Sequence, residues 1–457
     1  MKGSKYFTKQ VYWPIVQKIK SEHAWGALTD LLESQWSNQE ELLSKQWELV
    51  IQTVNKAARE IPYYRRSYRK IDWDPTSAEF TYEHFLQLPV VKKENVRDNL
   101  AQFLNHYFNG RITRGSTSGS TGKGLRLCYN SEHESYSEAA RWRAKSWWNI
   151  EIGAPQVTIW GRPFTGFSDR MTQIFKSYCM NTLLISGFDL QEKSLIDIWN
   201  KISRFKPSII YGYPTAIFTL ASYLYKHNVD TSNLDIKVII TPGETITYQQ
   251  RRLIEKVFGC KTANEYGCSE TGGFVYECPH GSWHISTELT FIEFLDEKGQ
   301  PVSAGETGEI YITHLRNGYM PLIRYKVGDI GGPLQGVCKC GRGLPLMKVS
   351  VAKESDVFRL SSGKQYSAKI FDYINMAVIK AYPSSILQFR VTQKRFDIFD
   401  IEMILGFDRS GQGEKLFCDL AMKQLGTDVH INTKEVASID REPSGKLRYF
   451  ISEVQDS

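Results

Sequence analysis

The amino-acid sequence contains no long apolar run. No segment of the 457-residue chain reaches the roughly 18 consecutive apolar residues of a membrane-spanning helix. The first residues, Met-Lys-Gly-Ser-Lys-Tyr-Phe, lack the apolar core of a signal peptide. Internal repeats and low-complexity tracts are also absent. These absences predict a cytoplasmic protein without a membrane span.

Cysteine is sparse, and neither sign of charge dominates. Eight cysteines are present, and in a cytoplasmic protein we expect thiols or metal ligands rather than disulfides. The 57 basic and 50 acidic residues give a net charge of +7. Because the basic residues are scattered rather than clustered, no nucleic-acid partner is expected. What remains is ordinary globular composition, with enough length for a large domain and a smaller one.

Apolar periodicity divides the chain into regions. Residues 1 to about 100 are predicted to be mostly helical, because apolar residues recur at spacings of three and four, notably over 42–58. From there to about residue 345, short apolar runs alternate with helical stretches such as 193–205 and 215–227. The strand candidates are 157–160, 182–185, 208–211 and 238–241. This alternation predicts an α/β fold class with a largely parallel sheet.

Two later segments predict a different arrangement. Phe291–Leu295 and Glu309–Thr313, with glycines between them, are typical of antiparallel strands. Beyond about residue 355 the pattern changes again, to a small α+β unit of roughly a hundred residues.

One segment is rich in glycine and hydroxyl side chains. It reads Thr117, Ser118, Gly119, Ser120, Thr121, Gly122 and Lys123. Backbone N–H groups freed by glycine can converge on phosphate oxygens, and Lys123 adds positive charge. A P-loop is not indicated, because Thr117 occupies the position of its first glycine and Gly124 that of its magnesium-binding hydroxyl. The segment predicts a phosphate-binding loop, and a glycine-rich surface loop without a ligand is the alternative.

Two further segments carry polar residues after apolar runs. Gly243 and Glu244 follow a strand candidate, at the edge where open α/β sheets bind ligands. In the run Asn264-Glu265-Tyr266-Gly-Cys-Ser-Glu270, Tyr266 offers an aromatic face to a purine and Glu270 a carboxylate to Mg²⁺. Ordinary strand-to-helix loops are the alternative for both.

The last two segments lie nearer the C-terminus. Asp329 follows a glycine in Pro321–Asp329 and suits hydrogen bonding to ribose hydroxyls, although a turn-capping aspartate is the commoner fate of Gly-Asp. Lys446 lies on a predicted tight turn in Arg441–Arg448, for which a basic solvated hairpin is the alternative.

In order and spacing, these segments resemble the motifs of the adenylate-forming superfamily, which contains acyl-CoA ligases and nonribosomal adenylation domains. More narrowly, the chain resembles the phenylacetate–CoA ligase and CapK-like branch over almost its whole length, including Ile61–Arg65 and Leu88–Lys93. The resemblance implies a large N-terminal domain, 1–352, with mostly parallel sheets and a smaller β-barrel-like part. It also implies a small mobile C-terminal α+β lid domain, 356–457.

The resemblance also implies residue roles. Thr117 to Lys123 would hold the β- and γ-phosphates of ATP, Asp329 would bind the ribose, and Glu270 would ligate Mg²⁺. The residues implied to line the adenine pocket are Gly243, Glu244, Asn264, Glu265 and Tyr266. Lys446 would catalyse adenylation, together with Glu270 and Lys123, because a cation and a metal should face the charge that builds on the α-phosphate.

The implied reaction joins a small carboxylic acid to MgATP, giving an acyl-adenylate and pyrophosphate, and then transfers the acyl group. Coenzyme A is the favoured acceptor, and an amine or a sugar is the alternative. A phosphotransferase and a catalytically silent nucleotide-binding scaffold are rival interpretations. Aromatic residues such as Trp142, Trp147, Trp148 and Trp160 would suit an aryl acid, although such clusters are more often core. The oligomeric state is open, with a dimer as one alternative.

Three positions depart from the family pattern. Gly124 replaces the usual proline after the loop lysine, and Val327 replaces the threonine before Gly-Asp. At the hinge, Ser355 falls where the pivoting aspartate is expected. This last departure puts the domain rotation, and with it the second half-reaction, in question.

A second cluster predicts a metal site. Cys278, His280 and His284 lie near one another in the chain, and Cys338 and Cys340 form a second closely spaced group. Structural Zn²⁺ takes four such ligands, usually in closely spaced pairs that the fold brings together. The resemblance favours Cys278, His284, Cys338 and Cys340, with His280 as the competing histidine. A chance cluster of reduced cysteines is the alternative.

Overall fold

The protein forms two compact units in a computed structural model. The described residues are 4–19, 23–71, 80–116, 125–160, 174–187, 192–244, 246, 248–268, 270–353, 357–363, 365–382, 385–406, 408–426, 428–440 and 448–454. The first unit comprises Met1–Ile246, Leu253–Val327 and Gly331–Val349. The second comprises Thr247–Arg252, Gly328–Ile330 and Ser350–Ser457. Among the described residues, no helix is long and apolar enough to cross a bilayer.

Helices dominate the first hundred residues, as the periodicity predicts. They are α1 Lys5–Phe7, α2 Trp13–Ile19, α3 Ala24–Ser34, α4 Gln39–Glu60, α5 Pro62–Tyr68, α6 Tyr82–Leu86 and α7 Lys93–Asp98. Asn38 caps α4 by accepting a hydrogen bond from the N–H of Glu41, and Pro62 starts α5. The buried residues of α4 recur every three or four positions, which turns one face of the helix to the core: Leu42, Gln46, Val50, Val54 and Ala57.

A hairpin and a long helix follow. Strands β1, Ile112–Ser116, and β2, Arg126–Asn130, pair antiparallel, with Ser116 opposite Arg126. They flank residues 117–124, which lie outside the described residues. Helix α8, Ser131–Ser146, starts directly after β2. Asn130 caps this helix by accepting a hydrogen bond from the N–H of His133, so the hairpin and the helix have a fixed junction.

The first unit is built on a sheet of eleven strands. In chain order they are β3 Gln156–Trp160, β4 Thr182–Ser186, β5 Ile209–Gly212, β6 Val238–Pro242, β7 Lys261–Cys268, β8 Gly272–Glu277, β9 Trp283–Ile285, β10 Thr290–Leu295, β11 Gly308–His314, β12 Tyr325–Leu334 and β13 Leu346–Lys353. The spatial order is β10-β11-β12-β13-β9-β8-β7-β6-β5-β3-β4. Helices α9 Glu192–Phe205, α10 Pro214–Lys226 and α11 Tyr248–Phe258 connect strands of the β4-to-β7 part.

The sheet has a parallel half and an antiparallel half. Strands β3, β4, β5, β6 and β7 pair in parallel, and the four strand candidates from the sequence all lie there. The pairs β7–β8, β8–β9, β9–β13 and β10–β11 are antiparallel. The predicted antiparallel strands at 291–295 and 309–313 are β10 and β11, and they continue the same sheet.

The second unit contains a sheet and a core of its own. Its strands are β14 Val357–Arg359, β15 Gln365–Ser367, β16 Ile386–Arg395, β17 Ile398–Leu405, β18 His430–Glu435 and β19 Phe450–Ser452, and its helices are α12 Lys369–Ala381 and α13 Gln412–Leu425. A four-stranded sheet has the order β18-β17-β16-β19. Phe358, Phe371, Phe399, Phe417 and Phe450 are buried together on it. The α+β prediction for this part is confirmed.

Candidate active site and metal centre

The carboxyl ends of the parallel strands form the edge where an α/β sheet binds ligands. Gly243 and Glu244 follow β6 at this edge, and Asn264 to Tyr266 lie on the adjacent β7. The parallel register pairs Thr241 with Asn264 and Pro242 with Glu265. The structure therefore brings the residues predicted for the adenine pocket to one edge.

Glu244 has a definite structural partner at this edge. Its Oε2 accepts hydrogen bonds from the backbone N–H of Thr215, at 3.2 Å, and from the Thr215 hydroxyl, at 2.7 Å. Thr215 lies in the first turn of α10, where unpaired N–H groups and the helix dipole favour a carboxylate. Gly243 has a φ of +78°, which a side chain would strain. The turn after β6 is thus fixed against the start of a helix.

The side chains of β7 alternate between two faces, as they do on any strand. Asn264 accepts a hydrogen bond from the Thr241 hydroxyl at 2.8 Å, which ties β7 to β6. Tyr266 packs edge-on against Phe274, with ring centroids 5.4 Å apart, and stays half-buried. Asn264 and Tyr266 share a face, and Glu265 points to the other one.

Glu270 lies in the turn between β7 and β8. Its Oε1 accepts a hydrogen bond from the Tyr325 hydroxyl at 2.9 Å. Burial, and then the charge of Glu270, raise the pKa of Tyr325, so this hydroxyl stays protonated and remains a donor at neutral pH. A carboxylate held by one donor and placed at the ligand edge of a sheet can coordinate a hard divalent cation.

Of the other predicted site residues, the structure describes Asp329 and leaves several undescribed. Asp329 is half-buried on β12, directly after Gly328, which has a φ of +83°. The segment Thr117–Lys123 and Lys446 lie outside the described residues, as does the hinge residue Ser355. Their roles stay predictions.

Sequence reasoning missed a charged cluster beside this edge. Glu265 Oε1 lies 3.3 Å from the Tyr211 hydroxyl, which donates to it, and 3.9 Å from Arg141 Nε. Arg141 Nη1 donates to Glu138 Oε2 at 3.1 Å, and both residues lie on α8. Lys145 follows one turn later and donates to Gln156 at 3.0 Å. The spacing of Glu138, Arg141 and Lys145 by three and four, in a helix that is largely buried, was the available signal.

The four residues favoured for the metal come together in the first unit. The ligand atoms of Cys278, His284, Cys338 and Cys340 all lie within 4.8 Å of one another. Cys278 Sγ is 3.6 Å from Cys338 Sγ, and Cys340 Sγ is 3.3 Å from His284 Nε2. Zn–S bonds of about 2.3 Å at tetrahedral angles place two sulfurs about 3.8 Å apart. The spacing fits a tetrahedral S₃N site and is too long for a disulfide bond.

Local structure explains this convergence. Cys278 ends β8, His284 lies on β9, and the two other cysteines sit on a turn in which the N–H of Gly341 donates to the carbonyl of Cys338 at 3.0 Å. His284 Nδ1 lies 3.3 Å from the Leu344 carbonyl, which directs Nε2 to the cysteines. Burial lowers the pKa of His284 to about 4, so the imidazole is neutral at pH 7 and able to bind metal. Among the described residues His280 is not in the group.

Comparison with protein families gives two matches. Residues 170–319 match the family model described as AMP-binding enzyme, and residues 365–453 match the model described as CapK C-terminal domain. The chain is 25% identical over 384 residues to protein CapK of Staphylococcus aureus, which covers 82% of each chain. It is 24% identical over 369 residues to a phenylacetate-coenzyme A ligase of Thermus thermophilus, covering 79% of this chain and 80% of the relative.

The fold is shared with solved ligase structures. A 2-hydroxyisobutyryl-CoA ligase in the postadenylation state superposes with a TM-score of 0.73 at 17% identity, covering 92% of this chain and 91% of the other. This likeness establishes the fold. The family matches, the relatives and the shared fold together support the predicted adenylate-forming ligase of the phenylacetate–CoA ligase and CapK-like branch.

Proposed function

We propose that this ligase activates a small carboxylic acid with ATP, releases pyrophosphate, and then transfers the acyl group to coenzyme A. The observation that carries the proposal is the position of Glu270. Its carboxylate lies just after β7, where it accepts the Tyr325 hydrogen bond, beside the strand ends that carry Gly243 and Asn264. This edge matches the expected place of a nucleotide in an open α/β sheet.

Each residue then has a stated task. Tyr266 offers its half-exposed ring to the adenine, and Asp329 offers a carboxylate to the ribose hydroxyls. Mg²⁺, held through Glu270, would supply positive charge to the phosphates during the displacement. Thr117 to Lys123 are assigned to the leaving pyrophosphate on the resemblance, and Lys446 to the attacking and non-bridging oxygens. These last assignments are predictions, because the segments concerned lie outside the described residues.

The acceptor is the second part of the proposal. Coenzyme A is supported by relatives and fold neighbours whose names contain CoA ligase. An amine or a sugar is the second candidate, because Ser355 stands at the hinge where the family pattern has an aspartate. A changed hinge bears on the second half-reaction and leaves adenylation intact, so the two candidates differ only after the acyl-adenylate has formed.

Acid-dependent exchange of pyrophosphate into ATP tests the first half-reaction. The purified protein is screened with aryl, fatty, amino and uronic acids, with and without coenzyme A. Exchange with at least one acid, together with release of AMP, is expected. Release of ADP would favour the rival phosphotransferase, and absence of exchange with every acid would contradict the proposal. Formation of an acyl thioester when coenzyme A is added would support coenzyme A as the acceptor, whereas exchange without any thioester would favour an amine or a sugar.

We further propose that Cys278, His284, Cys338 and Cys340 hold one structural Zn²⁺. The support is the S₃N donor set, its tetrahedral spacing, and the hydrogen bond that orients His284. Such an ion would join the end of β8, strand β9 and the turn before β13. No open ligand position is needed for this role, so it takes no part in the reaction.

A further inference from the structure

A cavity of about 440 Å³ lies along helix α8. One end is formed by Tyr129 and Gly272, beside the turn that carries Glu270. Gly272 begins β8 and is two residues after Glu270 in the chain. The α8 residues that line the cavity are His133, Glu134, Ser137, Glu138 and Arg141. At 1.5 Å per residue, His133 and Arg141 are about 12 Å apart along the helix.

The far end of this cavity is polar and charged. Arg141 is 35% exposed and Glu138 31%, and both line the cavity. Glu138 accepts hydrogen bonds from Arg141 Nη1 at 3.1 Å and from the Trp142 indole N–H at 2.8 Å. Since a guanidinium has five N–H donors, one bond to Glu138 leaves several for a ligand. Ser137 also lines the cavity, but its Oγ lies 3.4 Å from His133 Nε2 and beside Gly272, towards the other end.

The guanidinium of Arg141 is held in place from behind. Glu265 Oε1 lies 3.9 Å from Arg141 Nε and accepts a hydrogen bond from the Tyr211 hydroxyl. A Cβ at Gly273 would stand 2.6 Å from Glu265 Oε1, so the glycine makes room for this carboxylate. The cluster of Arg141, Glu138 and Glu265 is therefore preorganised, and its hydrogen-bond donors need not reorient when a ligand binds.

An apolar acid fits this wall badly. Covering Arg141 and Glu138 with an aryl or alkyl group would take water from charged groups and return no hydrogen bonds, which is costly. Trp142, Trp147 and Trp148 do not line the cavity, but Trp13, Val16 and Met180 do, so the cavity also has an apolar wall. An acid with an apolar body and a substituent that both donates and accepts hydrogen bonds would fit this wall and satisfy the guanidinium and the carboxylate together.

We propose that the cavity along α8 is the acyl pocket and that it selects a carboxylic acid bearing a hydroxyl group at its far end, bound by Arg141 and Glu138. This inference rests on the proposed function, because it takes Glu270 to mark the reacting end. The carboxylate of the acid lies towards Tyr129 and Gly272. The hydroxylated end lies at the Arg141 and Glu138 side chains.

Matched acids test the pocket without requiring turnover. Calorimetric titration of the full-length protein compares 4-hydroxyphenylacetate with phenylacetate, and 6-hydroxyhexanoate with hexanoate. One hydrogen bond to a charged group corresponds to about tenfold or more in affinity. We expect each hydroxylated acid to bind at least about tenfold more tightly than its parent. Equal or tighter binding of the parents, or no binding of any of the four acids, would overturn the inference.

A matched pair of variants locates the preference. Arg141→Met should reduce the ratio of affinities for the hydroxylated and parent acids to near unity. Arg97→Met is the control and should leave this ratio unchanged. Arg97 has a similar exposure (33%), pairs with Asp98 and lies outside the cavity. Survival of the preference in Arg141→Met would contradict the assignment. Wild-type protein alone decides the first comparison, so a poorly folded variant does not weaken the test.

Pyrophosphate exchange with the same acids separates the two proposals. Exchange with hydroxylated acids at an about tenfold higher kcat/KM supports both. Exchange with the apolar parents at equal kcat/KM leaves the ligase function standing and refutes the pocket's selectivity. Selective binding without any exchange supports the polar pocket and counts against the adenylation reaction.

Discussion

Carboxylates in this ligase have distinct environments that set distinct roles. Glu244 is bound to the start of α10, Glu265 is buried behind Arg141, and Glu270 is held by one tyrosine at the ligand edge. Burial raises the pKa of Glu265, and the charge of Arg141 opposes this rise. Glu270 accepts a hydrogen bond from the neutral hydroxyl of Tyr325, so its negative charge is available for a cation.

Replacing Tyr325 tests how far Glu270 depends on the hydrogen bond from this tyrosine. Tyr325→Phe keeps the buried ring but removes the 2.9 Å hydrogen bond. We expect the Mg²⁺ concentration for half-maximal pyrophosphate exchange to rise about tenfold, the worth of a hydrogen bond to a charged group. Tyr311→Phe is the control, because its hydroxyl donates to Glu309 at 2.8 Å on β11. An unchanged Mg²⁺ requirement in Tyr325→Phe would argue against Glu270 as the ligand.

Lys446 carries the sharpest prediction for the chemical step. Lys446→Ala should lower acid-dependent pyrophosphate exchange by about a hundredfold or more, because the charge on the α-phosphate oxygens loses its cation. ATP binding, measured by titration, should change little. Lys423→Ala, in the last turn of α13, is the control and should retain exchange. Full exchange in Lys446→Ala would rule out its assigned role.

Secondary-structure elements decide which side chains meet. Helix α8 faces the cavity with Arg141, whereas Arg143, two residues later, points to another part of the core. Arg143 is fully buried and donates to Glu288 at 2.7 Å and to Ser286 at 2.9 Å. One helix thus supplies a cavity wall and, on a different face, a buried ion pair that joins it to the turn after β9.

The Arg143–Glu288 pair makes stability depend on pH. Burial acts to raise the pKa of Glu288, but Arg143 and Ser34 together hold it below its ordinary value of 4.5. A lowered folded-state pKa gives stability that is present above the unfolded-state pKa and is lost as the pH falls through the folded-state value. We expect Glu288→Gln to lower the free energy of unfolding by about 3 kcal/mol at pH 7 and by less below pH ~4.

Urea unfolding at several pH values measures this difference. Glu132→Gln removes an exposed partner of Arg316, 3.3 Å away, and should cost less than about 1 kcal/mol at any pH. A deficit in Glu288→Gln that stays constant from neutral to acidic pH would show that the pair does not titrate as proposed.

The proposed metal site combines residues from the end of β8, from β9 and from the turn before β13, which the fold brings together. We expect about one equivalent of zinc in protein purified without chelators. Cys340→Ser should lower the zinc content and the Tm, because the ion would join three segments of the sheet. Cys418→Ser, a partly buried cysteine in the second unit, should change neither. Mass-spectrometric metal analysis and thermal melts provide the measurements. Wild-type protein that contains no zinc, and whose Tm does not change when zinc is added, would refute the site.

At the scale of the whole molecule, the chain contains two units with separate cores. The second unit combines two helices with the β18-β17-β16-β19 sheet around its phenylalanine cluster. About a hundred residues suffice for an independent core. We propose that this unit is the lid domain that the resemblance implies, with the boundary near residues 350–356.

A fragment of residues 350–457 tests that boundary. We expect a cooperative thermal transition and dispersed amide NMR signals. A shorter fragment, 350–447, lacks β19, whose residues Phe450 to Ser452 pair in parallel with Val391 to Gln393 of β16. It should not fold, since it loses a strand and a buried phenylalanine. A longer fragment without a cooperative transition would show that the unit needs the rest of the chain.

The sequence by itself determined the class of enzyme and much of the architecture. Strands and helices at 157–242 were predictable because periodicity and turn chemistry act locally. The order of Gly243, Glu270 and Asp329 pointed to an adenylate-forming ligase, since each motif is a short contiguous segment. These signals need no knowledge of what lies next to them in space.

Tertiary structure decided what depends on distant partners. Strand β9 and the Leu344 carbonyl select His284 over His280 for the S₃N cluster, a choice that spacing left open. Glu265 contacts Arg141 and Tyr211, because strand alternation turns its side chain away from the face of Asn264 and Tyr266. The sequence does not indicate which cavity wall a charged residue will form. The cavity exists only because α8 packs on the sheet.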